Sequence, residues 1–304
     1  VGDLNRAIDK LEILHQQWQD NPSPVWGIST GFPSIDNYTG GFQPGEMMVL
    51  GARTSHGKTA LATQMMFHVL EEILVDSLEA GEPTGQVIAF SPEMADYMLM
   101  MRQASVMSRV PSTAIRRAEA NPDEVEAFKL ALGLLRDYDP YVSLYSQGDL
   151  SAQEVRTKVE SRHTSKIPIK LVVVDYLQYL TSFAGKDNSY EQTSSIAKEM
   201  KKMANDLDIP VLVLSQVNRR GAQSADSEAE DVPELHELEG SGKIEARADT
   251  VLLLWRPNNL SEETGMEAQK ALVRIGKNRN GPVGIAPLFY YPAITLFQDP
   301  LAVE

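Results

Sequence analysis

Residues 47–59, MMVLGARTSHGKT, constrain the chain more than any other stretch: a short apolar run enters a loop, and the loop enters a helix. From Ala52 onward the segment fits the phosphate-loop pattern G-x-x-x-x-G-K-[ST], with Ala52 at the first glycine and Gly51 offering a flexible joint one residue earlier. The residue types follow from the chemistry of binding phosphate. Gly57 lets the backbone turn so that successive N–H groups converge on an anion, and the positive end of the following helix adds to their pull. Lys58 is then placed to reach β- and γ-phosphates, and the Thr59 hydroxyl to hold Mg²⁺. The whole run of Ala52, Arg53, Thr54, Ser55, His56, Gly57, Lys58 and Thr59 is therefore the expected cradle for ATP with Mg²⁺.

The remaining pattern predicts an α/β fold. Apolar strands are expected at 46–51, 86–91, 141–145, 169–175, 210–215, 250–255, 271–276 and 284–291, with a hairpin tip at 277–282. Between them lie helical stretches at 58–74, 95–108 and 190–207, and two more that open with capping signals. Asn121-Pro122-Asp123-Glu124 supplies a cap, a first-turn proline and an acidic third position, and Ser151 with Glu154 repeats the arrangement. Strands alternating with helices imply a mostly parallel, twisted sheet with helices on both faces. Residues 28–45 read as turns and 219–240 carry no strand or helix pattern, a length that is usually functional or disordered.

At the start of the chain, Leu4, Ile8, Leu11, Leu14 and Trp18 form one apolar stripe on a helix that ends before Asn21-Pro22-Ser23-Pro24. That stripe packs on its own domain or on a neighbouring copy. Residues 1–24 are accordingly expected as a helix with a connector, and 25–304 as one large domain.

Composition narrows the function. A net charge of −14 argues against a surface that binds nucleic acid indiscriminately, so any DNA contact must be local and sheltered. No apolar run approaches the ~18 residues of a membrane helix, no secretory pattern opens the chain, and a cytoplasmic protein is expected. The absence of cysteine rules out disulfides and thiolate metal sites.

In open α/β sheets ligands bind beyond the carboxyl ends of the strands, and four apolar strands here end in a polar residue or site. Besides the phosphate loop, these are Glu93, Asp175 and Gln216. Asp175 has the position of a metal-holding aspartate, directly or through water. Its successor is Tyr176, so a base that orients water must come from another strand, and Glu93 is the natural candidate. Gln216 is placed to sense a γ-phosphate. Lys277 and Arg279 project from the hairpin tip GKNRNGP, where two basic residues are either solvated or aimed at a transition-state charge.

Taken together, GARTSHGKT, FSPEM, VVVDYLQ, LSQVNRR, GSGKIEARAD and GKNRNGPVG resemble, in order and spacing, the motifs of the DnaB-type replicative DNA helicases. The resemblance covers roughly residues 27–297, the RecA-like motor domain of that family. It implies an ATP-hydrolysing ring, usually a homo-hexamer, with ATP between subunits and single-stranded DNA in the central channel, moving 5′–3′ and unwinding duplex at a replication fork. It implies that Glu93 is catalytic, that Asp175 shares the metal with Thr59, and that Gln216 couples hydrolysis to DNA. It also implies that Lys277 and Arg279 act on the neighbour's nucleotide and that Arg102, nine residues after Glu93, joins the phosphate site. The opening helix resembles the linker that docks on the adjacent motor. DNA contacts in the family come from central loops, here about 181–190 and 219–243, with Gly240, Ser241, Gly242 and Lys243 as contact candidates through closely approaching backbone N–H groups. The loop before them is acidic, from Asp226 to Glu239, which departs from a side-chain charge mechanism. Primase and a helicase loader are the further partners implied. A recombinase-like filament ATPase and a non-unwinding ATP-binding switch are the rival readings.

Overall fold

A computed structural model of the chain describes residues 4–20, 23, 25–92, 94–146, 150–175, 189–217, 232–238, 241–257 and 265–302. Its centre is a nine-stranded sheet of order β3-β2-β4-β5-β1-β6-β7-β8-β9. The strands are β1 (Met47–Ala52), β2 (Gln86–Phe90), β3 (Val142–Tyr145), β4 (Ile169–Val174), β5 (Val211–Gln216), β6 (Thr250–Trp255), β7 (Gln269–Asn278), β8 (Gly284–Tyr291) and β9 (Leu296–Gln298). From β3 through β6 every pairing is parallel, and from β6 to β9 every pairing is antiparallel.

Alternation along β1 shows why both faces must be covered. Met48, Leu50 and Ala52 join one apolar core with Leu61, Met65, Leu212 and Leu214, whereas Met47 and Val49 join another with Val211, Ile196 and Met200. Side chains on successive strand residues point to opposite faces, so a strand buried on both sides reads as an unbroken apolar run. The first face is covered by α3 (Lys58–Ala80), α4 (Asp96–Ser108) and α6 (Pro122–Asp137), the second by α7 (Ala152–His163), α8 (Ser189–Leu207) and α9 (Ser241–Arg247).

The two expected capping boxes are present. The Asn121 side chain accepts from the Glu124 N–H at 2.9 Å while Glu124 accepts from the Asn121 N–H, and Ser151 and Glu154 exchange the same pair of bonds. Helix α3 runs six residues past its expected end at 74, stopping at Gly81, which adopts φ +73°. Inside 28–45, expected as turns, α2 (Pro33–Thr39) forms with Pro33 in its first turn and Gly40 at φ +70° closing it. A further short helix, α5 (Ser112–Arg117), follows α4. Of the stretch 219–240, residues 232–238 are described and contain a short 3-10 turn at Leu235–Glu237.

The opening helix α1 (Leu4–Asp20) forms as expected, and among the described residues most of its stripe is left open: Leu4 is 73%, Leu11 57% and Trp18 41% exposed. Among the described residues no helix is long and apolar enough to cross a membrane.

Candidate active site

Because β4, β5, β1 and β6 run parallel, their carboxyl ends open on one edge of the sheet. Ala52, Gln216 and Leu254 stand side by side there in register. A cleft of about 510 Å³ lies over this edge, lined by the phosphate loop, Met94, Arg102, Gln216, Tyr290 and Thr295. That size suits a nucleotide-scale ligand.

Two loop residues have left-handed backbone, Ser55 at φ +67° and Gly57 at φ +94°. A side chain at Gly57 would be strained by that angle and would also meet the Phe297 ring, 2.9 Å from where its Cβ would stand. Gly51 plays a different part from the joint expected of it. It lies inside β1 without a positive φ, and what it requires is space, since a Cβ would come within 2.7 Å of Leu238 and 2.9 Å of Leu253. Ala52 is tolerated at the first glycine of the motif because β1 extends through it, so no left-handed turn is asked of that residue.

At the start of α3 the Thr59 hydroxyl donates to the Asp175 carboxylate at 2.8 Å, and Asp175 is 5% exposed. A hydroxyl and a carboxylate in contact at the mouth of a phosphate loop form an oxygen donor set that fits Mg²⁺, which completes its shell with phosphate oxygens and water. Gln216 donates from Nε2 to the Thr54 hydroxyl at 3.0 Å, so the end of β5 touches the loop directly. Arg53 pairs with Glu237 at 3.0 Å, tying the loop to the segment 232–238. His56 turns its buried ring inward, where Nδ1 accepts from the Arg256 N–H at 3.0 Å.

Arg256 was not among the expected site residues, and it braces the underside of the loop. Its guanidinium donates to the Ser55 carbonyl at 2.7 Å and lies over the Tyr290 ring, 3.9 Å from the centroid. Burial pulls the Arg256 guanidinium below its ordinary pKa and pushes the Tyr290 phenol above its own. Arg256 directly follows β6, so the strand-end rule that singled out Asp175 and Gln216 also pointed to it. Tyr290 and Thr295 arrive from the antiparallel side of the sheet, and no local motif marks them.

Of the expected site residues, the cleft brings together Ala52, Arg53, Thr54, Ser55, Gly57, Lys58, Thr59, Arg102 and Gln216, with Asp175 bonded to Thr59. Glu93 lies outside the described residues, between Pro92 and the cleft-lining Met94. Lys277 and Arg279 are both anchored on their own chain, although Arg279 keeps an exposed side chain as the hairpin reading had it. Lys277 is the penultimate residue of β7 and donates to the carbonyls of Glu245 at 2.5 Å and Ala248 at 2.8 Å. The last carbonyls of a helix have no partner within it and attract a cation, here at the end of α9. Arg279 donates to Asp249 at 2.9 Å. Both sit at the opposite end of the sheet from the cleft, because Asn278 pairs with Thr250, the first residue of β6. A strand of that length spans about 17–20 Å, so the pair does not serve the phosphate loop of its own chain. Gly240 lies outside the described residues, and Ser241, Gly242 and Lys243 form the first turn of α9 instead of a loop.

A mostly parallel sheet carrying a phosphate loop at the end of its central strand, with a threonine–aspartate pair beside it, defines a RecA-like P-loop nucleotide-binding domain. Comparison with known proteins gives the family: the chain belongs to the DnaB-like helicase C terminal domain family, whose model matches residues 27–299. It is 32% identical over 98% of its length to the replicative DNA helicase DnaB of Haemophilus influenzae, and 33% identical over 96% to that of Treponema pallidum. It spans 60% of the length of each of these relatives. Among solved structures it is similar to the ATPase domain of G40P, with a TM-score of 0.82, 24% identity and coverage of 98% of this chain and 99% of that one. A DnaB-like replicative helicase described with its primase interactions matches with a TM-score of 0.79 and 24% identity, over 98% of this chain and 67% of that one.

Proposed function

We propose that this chain is the motor of an ATP-driven DNA helicase, a homo-hexameric ring that moves along single-stranded DNA and separates duplex. The observation that carries this reading is the separation of two half-sites on one sheet: the phosphate loop with Thr59–Asp175 at one end, and Lys277 with Arg279 at the other. Such a chain completes its site only when a second copy brings its far end to the first copy's cleft, a heterologous contact that generates a ring when its rotation closes and a filament when it does not.

In the composite site, the Lys58 ammonium and the loop N–H groups bind the triphosphate, while Arg102 adds positive charge on the cleft wall. Thr59 and Asp175 would hold Mg²⁺, which supplies charge neutralisation on the β- and γ-oxygens when bound. Glu93 orients the attacking water and accepts its proton. Arg279 and Lys277 of the neighbouring copy offset the charge that develops on the transferred group. Gln216, bonded to Thr54, carries a change at the loop back to the segment after β5. That segment and the N-terminal turn of α9, with Ser241, Gly242 and Lys243, are the proposed DNA-facing elements, together with Gly240. A primase and a loader are candidate partners, and the exposed stripe of α1 is a candidate surface for docking on the adjacent copy.

The test is unwinding of a forked duplex labelled at its end, with Mg-ATP, alongside particle size in nucleotide. Strand separation by a ring that stops when Glu93→Gln replaces the wild type supports the reading. An assembled, ATP-hydrolysing ring that never separates strands refutes the helicase assignment.

A further inference from the structure

At the far end of the sheet a buried carboxylate, Asp249, stands between α9 and β6 with 2% exposure. Its Oδ2 accepts from the Lys201 ammonium at 2.7 Å and from the Met47 N–H at 2.8 Å, and its Oδ1 accepts from Arg279 Nη1 at 2.9 Å. The backbone repeats the connection, since the Asp249 N–H donates to the Met47 carbonyl at 3.0 Å and its carbonyl accepts from the Arg279 N–H at 2.9 Å. Arg279 is thus fixed at two points to a residue that is itself pinned at the foot of β1.

The cluster is balanced in charge: the buried Asp249 and the half-buried Glu46 lie close to two cations, Lys201 and Arg279, and Met47 satisfies a further lone pair of Asp249. What the third bond adds is orientation. The Arg279 side chain is 53% exposed, so one edge of the guanidinium is held while its other donors face outward from a rigid mount. An arginine that needed no such mount would lose rotamer freedom each time it reached a neighbour's nucleotide.

We propose that Asp249 is a positioning residue for Arg279: it presents the guanidinium to the triphosphate of the neighbouring copy, while the nucleotide site of its own copy does not depend on it. The inference rests on the shared-site reading above and deepens it. In a ring, the consequence is directional, because a defect at Asp249 disables the next site and not its own.

Mixed assemblies test this. Lys58→Ala chains lose their own site but keep a sound far end, and Arg279→Ala chains are the converse. Mixed one to one, these two form some sound seams, with ATP turnover recovering toward roughly a quarter of wild type for independent random sites. Asp249→Asn alone is expected to bind fluorescent nucleotide as wild type does and to turn over at least tenfold more slowly. Mixed with Lys58→Ala it recovers, and mixed with Arg279→Ala it does not. Recovery in the Lys58→Ala and Arg279→Ala mixture without recovery of Asp249→Asn by Lys58→Ala overturns the role of Asp249 and leaves the shared site standing. Full turnover by Asp249→Asn alone, or its rescue by Arg279→Ala, also overturns it. If the first mixture fails to recover, the shared site falls and this inference with it. Should Asp249→Asn fail to fold, Asp249→Asn with Lys201→Met removes the unpaired buried ammonium and enters the same mixtures.

Discussion

Gly57→Ala is the perturbation whose size the structure sets most closely. The residue sits at φ +94°, outside the range an L side chain adopts without strain, and that part costs about 1–2 kcal/mol. The new methyl would also meet Phe297 at 2.9 and 3.0 Å. The ring has little room to retreat, because Gln64 bonds both the Phe297 carbonyl at 3.1 Å and its N–H at 2.8 Å, and Tyr290 packs on it with centroids 4.6 Å apart. Overpacking of this kind costs about 1–3 kcal/mol. Together these give about 2–5 kcal/mol, expressed either as lost stability or, if the loop relaxes, as lost nucleotide affinity at tenfold per ~1.4 kcal/mol. Urea denaturation and titration with a fluorescent nucleotide measure the two shares. A Phe297→Leu partner separates the causes: the double variant should recover the packing share of about 1–3 kcal/mol beyond additivity and retain the backbone share. Wild-type stability with wild-type affinity in Gly57→Ala, or strict additivity with Phe297→Leu, refutes this account of the loop.

Asp175→Asn should weaken nucleotide binding roughly 10–100-fold in Mg²⁺, and it should bind like wild type in EDTA; equal loss in both conditions would place the effect elsewhere. Gly51→Ala should destabilise the domain by about 1–3 kcal/mol through Leu238 and Leu253, and denaturation at unchanged stability would contradict the close contact. Ser151→Ala should cost about 1 kcal/mol of stability through the lost cap. The Glu154 carboxyl is held below its ordinary pKa by bonds from the Ser151 backbone and side chain, so its contribution is present above the unfolded value and lost as pH falls through the folded one. The difference in stability between wild type and Ser151→Ala should therefore shrink on acidification, and a difference that is flat with pH would count against the capping box.

What the sequence disclosed was local chemistry. The caps at Asn121 and Ser151 and the strand-to-helix turn at 52–59 are each specified within a few residues, and each is present in the structure. Asp175 reached Thr59 because a parallel sheet gathers its strand ends on one edge, a rule that needs only strand assignment. Non-local pairing decided the rest. Strand β7 extends past its apolar run because β6 and β8 both template it, and α2 was hidden by its turn-rich composition although Pro33 and Gly40 marked its ends. The role of Gly51 depends on Leu238, far along the chain, and no neighbouring residue signals it. Lys277 and Arg279 looked like an exposed turn because the carbonyls of Glu245 and Ala248 and the carboxylate of Asp249 come to meet them only in the folded chain.

The central claim is that one nucleotide site is built from two copies of the chain. Turnover per chain, followed across a dilution series with molar mass measured in the same Mg-ATP and DNA solutions, tests it most directly. Rates that climb with the fraction of assembled chains and vanish for the lone chain are predicted; a lone chain hydrolysing ATP at the full rate contradicts the claim.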